Sequence, residues 1–182
     1  MRPSPDEELA ITTTSYGAIT GAQLISLGDH NGDGYEDIGI SAQQEGYGAV
    51  YLVWGSATVG DYNLTDAPAK LRGDLRAGFG GSLSNLGDIN GDGETDLGIG
   101  EFLSPSGDIN FFWGPFTDGG TRYQSNADVW IEAADSDFAY TFVTNIGDWN
   151  GDAAPEIAIS SSEHDVFDKR EGAVFFLTGY GM

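Results

Sequence analysis

The chain contains no cysteine, and its seven lysine and arginine residues are far outnumbered by 29 aspartate and glutamate residues. The lack of cysteine excludes a disulfide framework and a thiolate metal site. The formal net charge of −22 repels phosphate backbones and anionic lipid headgroups, which argues against nucleic-acid and membrane-surface partners. Cations are the partners that this charge favours.

Long apolar runs are also missing. No stretch approaches the roughly 18 apolar residues of a membrane span, so membrane insertion is not expected. The first residues, MRPSPDEE, contain no apolar core of a signal peptide. We therefore expect either a protein that is not exported or a mature or excised segment of a longer one.

Glycine, by contrast, is abundant, with 28 residues in a chain of 182. Glycine supplies the backbone geometries of tight turns and weakens helix interiors, so an all-β fold is favoured. The length is typical of one domain, and a hydrophobic content of 40% is sufficient for a packed core.

Three segments of the chain repeat one pattern. They are LGDHNGDGYEDIGIS (27–41), LGDINGDGETDLGIG (86–100) and IGDWNGDAAPEIAIS (146–160). Their first aspartates, Asp29, Asp88 and Asp148, are spaced by 59 and 60 residues. Each segment is followed by an aromatic one (48–55, 107–114, 172–179) and preceded by an apolar one (8–14, 69–74, 128–133). A unit of about 60 residues with four short apolar segments indicates a repeat architecture.

The apolar segments have the composition of β-strands. They are rich in β-branched and aromatic residues and are bounded by Gly, Asp, Asn and Ser. Small residues between apolar ones, at Gly39, Gly98 and Ala158, predict strands whose other face is pressed closely by a neighbour. Four antiparallel strands per unit predict an all-β fold of β-propeller blades. We expect a flexible lead at 1–7 and three blades within 8–182.

Each repeat contains an acidic loop with side-chain oxygens at positions 1, 3, 5 and 9, counted from the first aspartate. These residues are Asp29, Asn31, Asp33 and Asp37; Asp88, Asn90, Asp92 and Asp96; and Asp148, Asn150, Asp152 and Glu156. The backbone carbonyl of position 7 is a further predicted ligand, from Tyr35, Glu94 and Ala154. Crowded carboxylates repel one another, and a hard cation with six to eight oxygen ligands removes this conflict. A solvated acidic turn would explain one such loop, but not three in register.

The pattern favours calcium. Neither histidine nor cysteine occurs at the shared ligand positions, which argues against zinc and copper, and the many protein oxygens argue against magnesium. Glycine at position 6, Gly34 and Gly93, permits the sharp turn of the loop. The third loop differs at Ala153, Pro155 and Glu156, which occupy positions 6, 8 and 9. We therefore expect up to three calcium ions, with the weakest site in the third loop.

An EF-hand has a similar loop, but it requires a glutamate at position 12 and a helix on each side. Position 12 is Ile40, Ile99 and Ile159 in the three loops, and these residues fall on predicted strands. The ninth residue is therefore predicted to close the site, and the loop is predicted to connect two strands.

These features resemble the FG-GAP repeats of integrin α-subunit heads and of many bacterial and marine surface proteins. The segment AGFGGSLSNLGDINGDGETDLGIGEF (77–102) is similar to the family pattern of Phe-Gly, calcium loop and Gly-Ala-Pro, with Phe79-Gly80 as the first signature. The last signature is changed to Gly100-Glu101-Phe102. Repeat one has Thr20-Gly21 in place of Phe-Gly, and repeat three has Phe138-Ala139 nearby. The resemblance covers residues 9 to 179.

The resemblance implies a β-propeller with calcium in the loop between the first and second strands of a blade, located outside the cell or at its surface. It implies a role in adhesion or in binding a protein or glycan ligand on another face, without identifying that ligand. The alternative is a non-catalytic accessory or enzyme domain of lyase or phospholipase type on the same scaffold. We expect no enzyme, because the sequence has no polar catalytic cluster outside the loops and no Gly-x-Ser-x-Gly elbow.

Three blades cannot close a ring, because propellers typically have four to eight. The strand predicted at 8–14 resembles the outer strand of a blade, and the third blade lacks such a strand after 172–179. Two copies that exchange these strands would form a six-bladed ring and hide their sheet edges. The chain as part of a larger propeller, or paired with a different chain, is the alternative. The pattern favours the homodimer.

Several other residues are expected to be structural. Arg72-Gly73-Asp74 matches the tripeptide that integrins recognise, but the repeat places it at a strand end. His30, at position 2 of a loop, and His164, in a polar segment, are both predicted to be surface residues. Trp54 and Trp113 end equivalent strands and are predicted to pack in the core or between blades.

Overall fold

The computed structural model of the chain describes residues 10–13, 17–57, 60–75, 78–101, 107–132, 142–161 and 172–179. These ranges contain strands, turns and two single-turn 3₁₀ helices, at Leu64–Asp66 and Gln124–Asn126. No helix within them is both long enough and apolar enough to cross a membrane. The predicted all-β class is confirmed, and the predicted lead at 1–7 lies outside the described residues.

The strands follow one another in the order that the repeat predicts, with short additional strands between the repeats. In chain order they are β1 (Ile11–Thr12), β2 (Thr20–Gly28), β3 (Asp37–Ala42), β4 (Ala49–Val53), β5 (Tyr62–Asn63), β6 (Ala69–Arg72), β7 (Phe79–Gly87), β8 (Asp96–Glu101), β9 (Ile109–Phe112), β10 (Gly120–Tyr123), β11 (Val129–Ile131), β12 (Phe142–Gly147), β13 (Glu156–Ser161) and β14 (Ala173–Thr178).

Three antiparallel sheets correspond to the three predicted blades. Blade 1 consists of β2, β3, β4 and β6, and blade 2 consists of β7, β8, β9 and β11. Blade 3 consists of β12, β13 and β14 in the described part of the chain. The sheets are those of β-propeller blades, as predicted.

Two parallel strand pairs cross from one repeat to the next. β10 lies beside β6, with Arg122 opposite Leu71. β1 lies beside β5, with Tyr62 opposite Ile11. Ile11 precedes Leu71 by 60 positions and Tyr62 precedes Arg122 by 60 positions, so the two strand pairs are equivalent. β1 therefore has the place of the outer strand of a preceding blade, and within its own chain it pairs with β5 rather than with β14. Of the strand predicted at 8–14, the positions 8, 9 and 14 lie outside the described residues.

The blades pack face to face. We call the face of a blade toward the preceding repeat its leading face, and the opposite one its trailing face. One core cluster joins blades 1 and 2 and includes Leu27, Val50, Leu52, Leu83, Leu97 and Ile99. A second joins blades 2 and 3 and includes Leu86, Ile89, Ile109, Phe111, Val143, Ile157 and Ile159.

Small residues in the middle strands allow this close packing. A Cβ atom on Gly39 would lie 2.8 Å from Cγ1 of Ile25, and one on Gly98 would lie 2.9 Å from Cγ1 of Val143 in the next blade. Either distance is too short for a real side chain, so the prediction from the apolar-small-apolar pattern is confirmed. Trp54 and Trp113 pack against the first and second clusters, respectively, which confirms their predicted packing role.

Candidate metal-binding loops

The three acidic loops connect the first and second strands of the three blades. They follow β2, β7 and β12, and they lead into β3, β8 and β13, which begin at loop position 9. The position 12 residues Ile40, Ile99 and Ile159 are buried within these second strands. The predicted strand–loop–strand arrangement is confirmed, and it excludes an EF-hand.

The aspartate at position 1 is held by the backbone of its own loop. Asp29 accepts hydrogen bonds from the backbone N–H groups of Asp33 and Gly34, both at 2.9 Å. Asp88 and Asp148 accept the equivalent bonds at 2.9 to 3.0 Å. The three loops therefore have the same backbone turn around their first carboxylate.

The residues at positions 3 and 5 bond to each other and to the backbone. Asn31 accepts the N–H of Asp33 at Oδ1 and donates from Nδ2 to Asp33 Oδ2, both at 2.9 Å. Asp33 Oδ1 in turn accepts the backbone N–H of Tyr35 at position 7, at 2.9 Å. The same three bonds recur in the other two loops. Asn90, Asp92 and Glu94, and Asn150, Asp152 and Ala154, therefore take the same places.

The aspartate at position 9 ties the loop to the far end of the blade's third strand. Asp37 and Asp96 are buried. Asp37 accepts the backbone N–H of His30 at 2.9 Å with one oxygen and that of Gly55 at 2.8 Å with the other. Asp96 is bonded in the same way in blade 2, with its second oxygen 3.0 Å from the backbone nitrogen of Gly114.

The third loop closes differently because glutamate is longer than aspartate. Glu156 accepts the N–H of Trp149 at 2.6 Å and the side-chain Nδ2 of Asn150 at 2.8 Å, so both of its oxygens face the loop. Gly179, the counterpart of Gly55 and Gly114, donates to the carbonyl of Pro155 at 3.1 Å instead. Loop 3 thus keeps the turn but loses the carboxylate link to the third strand.

Burial raises the pKa of Asp96 to about 6, and the neighbouring Asp92 carboxylate adds to the increase. Hydrogen bonds from the backbone N–H groups of Gly114 and Ile89 act in the opposite direction. Without a metal, the carboxylate is costly to ionise in this position. A cation beside it would favour the charged form.

Position 6 has a left-handed backbone in all three loops. The φ angles of Gly34 and Gly93 are 90° and 91°, which glycine adopts without strain. Ala153 has a φ of 73° at the same position, where its Cβ makes the conformation unfavourable. The predicted turn is therefore present in the third loop at an energetic cost.

Among the residues that the structure describes, no group of three or more Asp, Glu, His or Cys side chains is arranged to hold a metal ion. The loop carboxylates accept backbone N–H groups instead, as described above. By the chemistry of its donors, each loop fits a hard cation, because it supplies carboxylate and amide oxygens and no nitrogen or sulfur ligand. The structure places the predicted residues in three equivalent loops, and their binding of calcium stays a prediction.

Position 2 has a role that the sequence did not predict. His30 is half-buried, and the centre of its ring lies 5.9 Å from that of Trp54 and 5.4 Å from that of Phe116. Its Nε2 accepts the backbone N–H of Phe116 at 3.0 Å, and burial lowers the pKa of the imidazole. The prediction that His30 lies at the surface is wrong, because position 2 of the loop faces the next blade. Ile89, at position 2 of loop 2, is buried.

Parts of known proteins are similar in sequence to this chain. No protein-family model matches the chain. It is 42% identical over 95 residues, 50% of its length, to integrin alpha-4 of Xenopus laevis. It is 39% identical over 94 residues, 47% of its length, to integrin alpha-PS5 of Drosophila melanogaster. The chain is thus similar to integrin alpha subunits over about half of its own length. Integrin alpha-6 of Homo sapiens is 28% identical over a longer stretch of 148 residues, 78% of the chain.

The similarity concerns a small part of each integrin alpha subunit. The aligned region is 9% of integrin alpha-4 and of integrin alpha-PS5, and 12% of integrin alpha-6. The resemblance to integrin alpha-type FG-GAP repeats is confirmed at the level of these repeats.

One integrin-related motif of the sequence has structural contacts. Arg72-Gly73-Asp74 lies at the end of β6, as predicted. Asp74 accepts hydrogen bonds from the N–H and the Oγ of Ser125, at 3.0 and 2.6 Å. A Cβ atom on Gly73 would lie 2.8 Å from the carbonyl oxygen of Tyr47. The motif therefore connects blade 1 to the segment that leads into β11. His164 and Phe138-Ala139 lie outside the described residues.

Proposed function

We propose that this chain is a calcium-stabilised β-propeller module that binds a ligand in adhesion, outside the cell or at its surface. The observation that carries the proposal is the recurrence of one oxygen-rich loop, with one hydrogen-bond pattern, at one place in three blades. The relationship to integrin alpha subunits supports the adhesive role and the location.

Each ion would be held by the oxygens of positions 1, 3, 5, 7 and 9 of one loop. In loop 1 these are the side chains of Asp29, Asn31, Asp33 and Asp37 and the carbonyl of Tyr35. When bound, calcium supplies two positive charges to a set of side-chain ligands that includes three carboxylates. Three ions would change the formal net charge from −22 to about −16.

Calcium would act on the joints between blades as well as on the loops. Position 9 of loops 1 and 2 is bonded to the end of the third strand, and position 2 of the same loops lies against the next blade. An ion that fixes the loop therefore fixes both attachments. Calcium modules of the cell exterior bind with dissociation constants of roughly 0.1 to 1 mM, which fits the proposed location.

We propose no catalytic role for the chain. An enzyme or accessory domain of lyase or phospholipase type is not favoured, because the relatives are integrin alpha subunits. The ligand would be a protein or a glycan.

Thermal unfolding and calcium titration test the proposal. We expect the Tm to rise with millimolar calcium, to fall with EDTA, and to recover when calcium is restored. Titration calorimetry should give up to three ions per chain, and Asp88→Asn should remove one of them. Asp118→Asn, a substitution at an exposed side chain outside the loops, is the matched control and should leave the number unchanged. A Tm that ignores both calcium and EDTA would refute the metal assignment.

A further inference from the structure

Four polar side chains are buried together on the leading face of blade 2. They are Glu101, Asp108, Asn110 and Gln124, and none is more than 3% exposed. Asn110 lies opposite Ile99 in the sheet, and the backbone N–H of Glu101 donates to the carbonyl of Asp108 at 3.1 Å. Gln124 begins the 3₁₀ helix that follows β10. We call these four residues the buried polar cluster.

The two amide groups of the cluster donate to the same carboxylate oxygen. Asn110 donates from Nδ2 to Glu101 Oε1 at 3.4 Å, and Gln124 donates from Nε2 to that oxygen as well. The amide carbonyl oxygens, Asn110 Oδ1 and Gln124 Oε1, are buried and accept no hydrogen bond from the part of the chain that the structure describes. Because a buried oxygen without a partner destabilises a fold, both oxygens call for a ligand beside the carboxylate.

The same place in blade 1 is apolar. By sheet register and by position in the 3₁₀ helix, the counterparts of the cluster are Ala42, Ala49, Tyr51 and Leu64. All four belong to one buried hydrophobic cluster. The fold therefore does not require polar side chains at these positions, and a ligand that binds all four residues of blade 2 gives a physical reason for the exchange.

The donors of the cluster are those of a hard-cation site. They comprise two carboxylates and two amide carbonyls, with neither imidazole nor thiol. Calcium accepts such oxygens in irregular arrangements, whereas magnesium retains several water molecules, for which a buried joint is unfavourable. The carboxylates favour a cation over a water molecule, because only a cation is attracted by all four groups.

We propose that the buried polar cluster binds one calcium ion in the joint between blades 1 and 2. Its protein ligands are Asn110 Oδ1, Gln124 Oε1 and the carboxylates of Glu101 and Asp108. The site is separate from the acidic loops, because Glu101 ends β8 whereas loop 2 lies before the first residue of that strand, Asp96. It adds one ion to those that the loops bind.

Blade 1 encloses the site. Asp74 accepts hydrogen bonds from the N–H and the Oγ of Ser125, the residue after Gln124. Glu101 lies opposite Phe79, which is buried in the core cluster between the two blades. Release of the ion therefore requires local opening of the joint, and it should be slower than release from the acidic loops, where Asp33 and Asp92 are exposed.

Metal content after brief chelation measures the buried ion. The 182-residue chain is refolded in calcium, desalted in EDTA and analysed by mass spectrometry of the metal. We expect one calcium ion per chain in the wild type and none in Glu101→Gln, which keeps an acceptor for the two amides but loses the charge. Asp118→Asn, at an exposed carboxylate, is the matched control and should retain the ion. A wild type without retained calcium, or equal retention in Glu101→Gln, would overturn the proposal.

The same measurement separates this inference from the proposed function. Asp88→Asn, in loop 2, should retain the buried ion while it loses one ion in calorimetric titration. Glu101→Gln should show the reverse, with its loop sites intact. A chain that retains one ion but binds none in titration would contradict the loop assignment alone, and the opposite result would contradict the buried site alone.

Exchange of the cluster for its blade 1 counterparts removes all four ligands. The combined variant Glu101→Ala, Asp108→Ala, Asn110→Tyr and Gln124→Leu introduces side chains that already pack together in blade 1. We expect a circular dichroism spectrum like that of the wild type and no retained calcium. Gln124→Leu alone, a smaller change, should reduce retention and provides the measurement where the combined variant does not fold. Full retention in either folded variant would contradict the ligand set.

The rate of release tests the enclosure. Asp74→Ala removes the acceptor of both bonds from Ser125, so the buried ion should be lost at least tenfold faster during incubation with EDTA. Arg72→Ala, at an exposed position of the same segment, is the control and should release the ion at the wild-type rate. Equal rates in the two variants would contradict the proposed path of release.

Discussion

The imidazole Nε2 of His30 and the backbone N–H of Phe116 join two consecutive blades by a hydrogen bond of 3.0 Å. His30 belongs to an acidic loop, and Phe116 follows the third strand of the next blade. Ile89 makes the corresponding contact by apolar packing in loop 2. The acidic loops are therefore part of the joints between blades.

Replacing His30 tests this role. His30→Ala leaves the buried N–H of Phe116 without its acceptor and removes a ring contact, so we expect a loss of about 2 kcal/mol in the free energy of unfolding. Urea unfolding in excess calcium measures the loss. Tyr123→Ala, which removes a ring that is 41% exposed on β10, should change stability by less than about 0.5 kcal/mol. Equal effects of the two substitutions would contradict the joint role.

The left-handed backbone of Ala153 predicts a stabilising substitution. Ala153→Gly should raise the free energy of unfolding by about 1 kcal/mol, because the cost of the Cβ at φ of 73° exceeds the entropy cost of glycine. The reciprocal change in the second loop, Gly93→Ala, should lower it by a similar amount. Chemical denaturation in EDTA isolates the backbone effect from metal binding. A destabilised Ala153→Gly would show that the conformation is not strained.

We predict that a side chain at Gly114, the glycine that follows the third strand of blade 2, destabilises the protein. A Cβ atom on Gly114 would lie 2.7 Å from the carbonyl oxygen of Thr95, and the N–H of Gly114 donates to Asp96. Gly114→Ala should therefore cost about 2 kcal/mol and weaken calcium binding in loop 2. Gly60→Ala is the matched control, because nothing lies within 4 Å of the added carbon. Calorimetric titration of both variants measures the difference, and similar affinities in the two would contradict the prediction.

The pKa of Asp96 predicts how the metal-free protein responds to pH. The pKa of about 6 lies above the value of about 3.9 in an unfolded chain, so the folded state binds more protons between these values. The stability that this group contributes is therefore lost as the pH rises from about 4 to 6. Urea unfolding in EDTA at pH 4.5 and pH 7 should show a larger decrease with pH for the wild type than for Asp96→Asn. The same decrease in both proteins would contradict the assignment.

The blades and the acidic loops could be predicted from the sequence because their signals are local and occur three times. The spacing of Asp29, Asp88 and Asp148 defines the repeat, and an isoleucine at position 12 is sufficient to place the loop between strands. The glycines in the middle strands indicated close packing, and Gly39 and Gly98 confirm it. These features depend on neighbouring residues along the chain.

Contacts between repeats could not be predicted in the same way. β5 and β10 are short and polar, and they pair in parallel with strands of the preceding unit, so no alternation of apolar residues marks them. The prediction of a surface His30 assumes that side chains at position 2 of such a loop point outward, and the blade that covers this residue is remote in sequence. The sequence has one signal that could have corrected this: position 2 is Ile89 in the second loop, an apolar residue in an otherwise polar segment.

The strand boundaries also show that the two edges of the blades differ in how uniform their connections are. The acidic loops have the same length in all three repeats, since eight residues separate the first and second strands at 29–36, 88–95 and 148–155. At the opposite edge, the connections between second and third strands cover 43–48, 102–108 and 162–172, or six, seven and eleven residues. The acidic loops could therefore be exchanged among the three repeats without a change in chain length, whereas the connections at the opposite edge could not.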